Sequence, residues 1–368
     1  MPETSQKSSF LICGNYGASN LGDEAILEGI LTIIRSLSHN ITVMSARPKQ
    51  TEKLHHVHSV GLFPCGFRSI IRGIFTGGLI KTLSAMRRAD IFILGGGGLF
   101  STGKPMAVII WFMQALCAKL FKKRIVCFGQ GVGPLRSFWS RYLTKKVFQW
   151  AKSITVRDEY SKKILEQLEI KNVFVLPDPA FLLADQKWTT KKIAHEKYIV
   201  ISLRPWSKPL QTKNIKIIAK FIDWISTEYG FKVFLLPFQH APDNDTRVFA
   251  GLIGDSRDRS LQAFNEDFHK AIELISGAEA VIGMRLHSII FASLTNTPFL
   301  ALSYSQKVRS IAEDLEQKRF ILEWNNLQLN GLKQKFVDLM GLHPHIQKIL
   351  QEKSIFYSKR THEYVKYL

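Results

Sequence analysis

The stretch Gly283-Met-Arg-Leu-His-Ser-Ile-Ile-Phe-Ala-Ser-Leu-Thr-Asn-Thr-Pro-Phe-Leu-Ala-Leu-Ser-Tyr-Ser-Gln-Lys307 decides the fold class. An apolar run, Ala280-Val281-Ile282, stops at Gly283, and Arg285 and His287 follow at once. A helical stretch comes next, then a second apolar run from Pro298 to Leu302, then Tyr304 and Lys307. The order reads as strand, helix, strand, with cationic and titratable groups just past the carboxyl end of each strand. In open α/β sheets that edge binds ligands. Arg285, His287 and Lys307 together suit a small anion, with one group able to move protons near neutral pH. The competing reading makes Arg285 and Lys307 solvated charges and His287 an ordinary helix residue.

Outward from this stretch, short apolar runs alternate with longer amphipathic ones, the pattern of βαβ units and a mainly parallel sheet. In the first half the expected strands are Phe10–Cys13, Ile41–Ser45, Ile91–Leu94, Ile125–Phe128, Ile154–Val156 and Val173–Leu176. The second half adds Tyr198–Leu203, Lys232–Leu236, Ala280–Ile282 and Phe299–Leu302. Expected helices in the first half include Glu24–Leu37, Ser69–Arg88, Met106–Phe121, Phe138–Ala151 and Glu159–Leu168. The fold class is α/β, with two Rossmann-like domains facing across a cleft. The first spans 1–184, a polar linker follows at 185–196, and the second spans 197–342. A basic helix over 343–368 is expected to pack back across the junction.

At 368 residues and 46% apolar content the chain is globular and long enough for two domains. A formal charge of +20 raises the local concentration of anionic partners such as phosphorylated metabolites, acidic lipid headgroups or nucleic acid. No arginine-rich block, zinc-finger spacing or RNP-like aromatic run supports nucleic acid. Cys13, Cys65, Cys117 and Cys127 lack CxxC pairing, which predicts buried thiols in a reducing compartment. The polar N-terminus has no signal-peptide apolar region, and Met106–Ala118 is shorter than the roughly 20 residues of a spanning helix. The expectation is a cytoplasmic protein with peripheral contact to an anionic inner membrane face, made through Lys348, Lys353, Lys359, Arg360 and Lys366.

Five motifs follow strands. Gly14-Asn-Tyr-Gly-Ala-Ser-Asn-Leu-Gly-Asp-Glu-Ala opens a helix after the first strand. It is not GxGxxG, and Asp23 and Glu24 would repel a pyrophosphate while suiting sugar hydroxyls. Asp23 is expected to cap the helix, with Asn15, Tyr16 and Asn20 touching an acceptor. Leu94-Gly-Gly-Gly-Gly-Leu, including Gly96 and Gly97, permits close approach of a ligand or another segment. In Phe128-Gly-Gln-Gly-Val-Gly-Pro, Gln130 can hydrogen-bond a ligand. Arg157, past a strand, can present a planar fork to carboxylate or phosphate, or pair locally with Asp158 or Glu159. Asp178, between prolines, is a general base, a hydroxyl acceptor or a structural turn acid. His55-His56-Val57-His58 reads as loop and not metal site, and Ser202 and Ser288 lack a nucleophile elbow. No metal site is expected.

Taken in order, these elements resemble the polysaccharide pyruvyl transferase family. The matching pieces are Gly14-Asn-Tyr-Gly, Asn20-Leu-Gly-Asp-Glu-Ala, Gly95-Gly-Gly, Gly129-Gln-Gly-Val-Gly-Pro, Val156-Arg-Asp, Asp178-Pro-Ala, Met284-Arg-Leu-His-Ser and Tyr304-Ser-Gln-Lys-Val, between about residues 10 and 310. The likeness is to the branch acting on cell-surface glycans, often on lipid-linked precursors. It implies a GT-B-like fold, phosphoenolpyruvate as donor and no metal or other cofactor. The family's lysine motif usually reads Tyr-Asp-x-Lys-Val, whereas Ser305 stands here in place of the acid.

Phosphoenolpyruvate carries a carboxylate and a phosphate, which Arg157, Arg285 and Lys307 are expected to meet. His287 is the expected proton donor to the methylene carbon. A GT-B nucleotide-sugar glycosyltransferase is the alternative enzyme, and a basic docking protein the third reading.

Overall fold

The computed structural model describes residues 8–101, 105–186, 188, 196–240, 244–256, 262–264 and 266–368. By contacts the chain divides into one unit of Met1–Leu182 with Ser358–Leu368, and a second of Leu183–Tyr357. Most of the expected linker, 187 and 189–195, lies outside the described residues.

The first unit contains strands β1 (Phe10–Cys13), β2 (Ile41–Ser45), β3 (His58–Gly61), β4 (Ile91–Leu94), β5 (Gly97–Phe100), β6 (Arg124–Val132), β7 (Ser153–Val156) and β8 (Val173–Val175). Among the described residues they form one parallel sheet, ordered β3-β2-β1-β4-β6-β7-β8, with β5 beside β6. Strands β1 and β4 are apolar and buried along their whole length, as a parallel sheet covered on both faces requires. The helices are α1 (Leu21–Leu37), α2 (Pro48–His55), α3 (Phe67–Phe75), α4 (Gly78–Arg88), α5 (Pro105–Leu120), α6 (Phe138–Trp150) and α7 (Glu159–Gln167). Side chains of α4, α5, α6 and α7 share one core cluster with Leu11, Phe92, Ile125 and Cys127 of the sheet.

The second unit contains β9 (Tyr198–Ser202), β10 (Lys232–Leu235), β11 (Gln262–Ala263), β12 (Ala280–Gly283), β13 (Phe299–Ser303) and β14 (Ile321–Glu323). They also pair in parallel, in the order β11-β10-β9-β12-β13-β14. Its helices are α8 (Lys208–Tyr229), α9 (Thr246–Asp255), α10 (Phe268–Ser276), α11 (Leu286–Leu294), α12 (Gln306–Asp314), α13 (Leu329–Gly341) and α14 (His343–Thr361), the last entering the first unit at Ser358.

Both sheets are doubly wound α/β, as expected. In each the strand order reverses once, between β1 and β4 and between β9 and β12, the crevices where such sheets take ligands. Two expectations need correction, and three strands went unread. The helix expected over Ser69–Arg88 is two helices, broken where Gly77 takes a left-handed φ of 66°. The glycine run is not wholly loop, because Gly97–Phe100 pairs with β6 as β5. Strands β3, β11 and β14 are too short or too polar for a period-two signal.

The C-terminal residues 358–368 are tied into the first unit. Tyr364 is fully buried, stacks on Phe128 with ring centroids 4.1 Å apart, and donates to the Pro177 carbonyl at 2.9 Å. Arg360 donates to the Val175 carbonyl at 3.1 Å. Among the described residues no helix is long and apolar enough to cross a membrane.

Candidate active site

In the second unit four strands deliver polar groups to one carboxyl edge. Arg204 follows β9, Asp245 follows β10, Arg285 and His287 follow β12, and Tyr304 and Lys307 follow β13. Parallel pairing in register, Ile282 opposite both Ile201 and Leu300, sets these strand ends side by side. Arg285 is the N-cap residue of α11, and Ser305 that of α12. Neither side chain caps its helix, so both first turns present backbone N–H groups to the edge. His287 and Lys307 each sit second in their helix and are half-buried.

Arg285 is not a free cation. Its Nη2 lies 2.5 Å from Asp245 Oδ1 and its Nε donates to Oδ2 at 3.1 Å. Asp245 is fully buried and also accepts the Phe238 and Gln239 backbone N–H groups at 3.0 and 3.1 Å. Burial pushes the Asp245 carboxyl up, while the guanidinium and the two N–H groups pull it down. This corrects the expectation that Arg285 touches ligand and not core, since it also holds buried Asp245, which anchors the Phe238 and Gln239 backbone.

Arg204 escaped the sequence reading. Its Nη1 donates to the Tyr304 hydroxyl at 2.9 Å, and its guanidinium lies over the Tyr304 and Trp206 rings at 4.9 and 5.9 Å. The rule that found Arg285 would have found it, because it stands two residues past β9. Asp245 had no such signal: its partner is 40 positions away.

In the first unit the expected acceptor residues form one wall whose polar groups are largely turned on each other. Asn20, and not Asp23, caps α1, accepting the Gly22 and Asp23 N–H groups at 3.0 and 3.3 Å. Asp23 accepts from Asn15 Nδ2 at 2.7 Å. Tyr16, expected on the acceptor, is fully buried. A Cβ at Gly95 would stand 2.0 Å from its hydroxyl, so that glycine makes room for Tyr16 and not for ligand. Gly96 and Gly97 are also buried; Gly97 takes a φ of 101°, and a Cβ there would meet Asp23 Oδ1 at 2.9 Å. Gln130 is buried and donates from Nε2 to the Leu94 and Gly95 carbonyls. Asn15 and Asn20 are half-buried and remain at the surface of this wall.

Arg157 and Asp178 are each other's partners, Nη1 to Oδ2 at 2.9 Å, with side chains 8% and 3% exposed. Asp178 Oδ1 also accepts the Ala180 N–H at 3.1 Å, and Arg157 Nε stands 3.6 Å from Asp158. Burial would lower the Arg157 guanidinium, but Asp178 and Asp158 beside it raise it. The expectation of an open phosphate fork at Arg157 and an available base at Asp178 is therefore corrected to a buried ion pair. Arg157 also belongs to the first unit, Arg285 and Lys307 to the second.

His55 is no loop residue. It ends α2 and is fully buried, Nε2 3.0 Å from Glu24 and Nδ1 2.7 Å from Glu28, which also pairs with Arg35. Glu24 accepts the Gly17 N–H at 2.8 Å, so the cluster holds the loop after β1. Among the described residues no group of three or more His, Cys, Asp and Glu could hold a metal ion.

Two doubly wound parallel sheets, with cations at the switch point of the second, define the architecture of the chain. The chain belongs to the polysaccharide pyruvyl transferase family, which it matches over residues 20–306. A curated relative, the amylovoran biosynthesis protein AmsJ of Erwinia amylovora, is 26% identical over 362 residues, covering 83% of this chain and 85% of that protein. Among solved structures, UDP-GlcNAc 2-epimerase from Neisseria meningitidis bound to UDP-GlcNAc has a TM-score of 0.64 at 13% identity, covering 97% of this chain and 98% of that one. Anabaena HepE in complex with UDP-glucose has a TM-score of 0.62 at 12% identity, with the same coverage. These neighbours establish a GT-B fold.

Proposed function

We propose that the chain transfers pyruvate from phosphoenolpyruvate to a hydroxyl pair of a sugar in a cell-surface polysaccharide or its lipid-linked precursor. The observation that carries this reading is the cationic edge of the second unit: Arg204, Arg285, His287 and Lys307 past three adjacent strands, beside two helix N-termini. A carboxylate and a phosphate on one small molecule need several donors of this kind. The side chains meet that charge themselves, so the proposed reaction uses no metal or other cofactor. The enzyme would work in the cytoplasm, peripheral to the inner membrane face.

In the proposed chemistry His287 gives its proton to the methylene carbon, and C2 takes up the positive charge. A sugar hydroxyl attacks C2 and its proton restores the protonated His287. The C2–O bond to phosphate then breaks, and a second hydroxyl closes the ketal, its proton leaving on the phosphate. Two C–O bonds form, one breaks, and inorganic phosphate leaves. Lys307 and the exposed side of Arg285 hold the anion, and Arg204 orients Tyr304 beside it.

Asn15, Asn20 and Asp23 are the proposed acceptor contacts in the first unit, with Tyr16, Gln130, Gly96 and Gly97 as the wall behind them. Melting shifts separate the readings. A rise with phosphoenolpyruvate supports pyruvyl transfer, and a rise with UDP or GDP alone would favour a glycosyltransferase, as the UDP-bound fold neighbours suggest for the alternative.

A further inference from the structure

The positive charge is concentrated in one stretch. Residues 53–157 contain seventeen Lys and Arg and one acid, Asp90, so 17 less 1 leaves +16 of the chain's +20. The same stretch contributes ten of the sixteen exposed large hydrophobics among the described residues. Phe75 is 86% exposed, Phe138 72% and Trp139 67%, and Ile74, Ile80 and Tyr142 are exposed with them. Phe138, Trp139 and Tyr142 form one aromatic cluster, with ring centroids 5.6 to 6.3 Å apart. Lys146 lies over the Tyr142 ring at 5.5 Å, and Arg141 is exposed beside it.

The groups on α3, α4, α5 and α6 share one face of the first unit's sheet. Helices α4, α5 and α6 lie on the same core cluster, and residues of α3, α4 and α5 wall a pocket of about 570 Å³ containing Leu62, Phe63, Leu79 and Ile110. The first turn of α6 and all of α3 follow carboxyl strand ends, the end of the sheet that binds ligands. Of the five tail cations expected to dock, three meet groups of the protein itself. Lys353 pairs with Glu316, Arg360 with the Val175 carbonyl and Lys366 with Glu363.

We propose that the α3–α6 side of the first unit is a docking surface for an anionic lipid bilayer, with Phe75, Phe138 and Trp139 entering the headgroup region and the surrounding cations facing acidic lipid. Exposed aromatics and aliphatics ringed by Lys and Arg are the composition of an interfacial surface. Exposed Ile74 and Ile80 offer a base neither an aromatic plane nor a hydrogen bond and suit acyl chains instead, and two copies of so positive a face repel each other. The partner adds to the proposed acceptor reading, because a lipid-linked glycan is presented at such a surface.

The test is co-sedimentation of the full chain with phosphatidylcholine vesicles, with and without phosphatidylglycerol. It reads no turnover, so it stands apart from the pyruvyl transfer reading. Binding is expected on anionic vesicles only, falling as salt rises. A Phe138→Ser/Trp139→Ser/Tyr142→Ser variant should bind about tenfold more weakly with its charge intact, while Lys348→Gln/Lys353→Gln/Lys359→Gln should bind as wild type. Brominated lipid should quench wild-type fluorescence more than that of Trp139→Phe. The proposal is overturned by no wild-type binding at low salt, by an aromatic variant that is folded and binds normally, by loss confined to the tail variant, or by an aromatic-dependent dimer in light scattering.

Discussion

Arg285 grips Asp245 through two nitrogens, and the carboxylate it grips has no exposure to water. One residue thereby holds Asp245 on the Phe238 and Gln239 backbone and presents its remaining edge to the site. Removing the arginine leaves a buried carboxylate uncompensated.

Arg285→Ala should therefore cost stability as well as affinity, about 3–5 kcal/mol in urea unfolding for a broken buried pair. Arg285→Lys keeps the charge but not the fork and should fall between. Unchanged unfolding in Arg285→Ala would mean that the pair does not hold this backbone.

Lys307→Ala is the cleaner probe of the anion site. Lys307 is half-buried in the first turn of α12. The substitution should weaken phosphoenolpyruvate binding roughly tenfold to a hundredfold and lower the melting temperature less than Arg285→Ala does. Calorimetric titration reads the first and a thermal scan the second.

His287→Gln separates proton transfer from binding. As the acid, His287 should contribute about 10²–10⁴-fold to kcat, with phosphoenolpyruvate affinity mostly preserved in the glutamine variant. Weaker binding at normal kcat would make it an anion ligand, and lost stability with normal turnover a packing residue.

The His55 cluster predicts a pH dependence of stability. Burial opposes its charge, but hydrogen bonds to Glu24 and Glu28 raise His55 above 6.5, and Glu28, despite its own burial, is lowered below 4.5 by His55 and Arg35. A raised histidine contributes stability that is full below 6.5 and is lost as pH rises through the folded value. A lowered glutamate contributes above 4.5 and loses it as pH falls. The difference in unfolding free energy between wild type and His55→Gln should thus peak between those values and shrink on either side. A difference that is flat from about pH 5 to pH 9 would contradict a charged cluster.

What the sequence made legible was the alternation of strands and helices and the cations at strand ends. Both are local: Ala280–Ile282 and Phe299–Leu302 are apolar runs, and Arg285 and Lys307 stand within five residues of them. What it hid were partners brought from afar. Asp245 reaches Arg285 across 40 positions, Asp178 reaches Arg157 across 21, and His55 meets Glu24 across 31. The first two change the role of an arginine whose place past a strand was read correctly, and the third makes an expected loop residue a buried helix end. The glycines illustrate the same point, because Gly95 and Gly97 accommodate Tyr16 and Asp23, which no local rule connects to them.

The central claim is tested most directly by following the carbon. The protein is incubated, with chelator present, with phosphoenolpyruvate labelled with carbon-13 at C2 and a lipid-linked glycan fraction, and the glycan is examined by NMR. The account predicts a labelled quaternary ketal carbon in the glycan, one phosphate released per ketal formed, and less of both with Lys307→Ala at a limiting phosphoenolpyruvate concentration. Unlabelled glycan and intact phosphoenolpyruvate, with sugar transferred from a UDP-sugar in the same fraction, would contradict it.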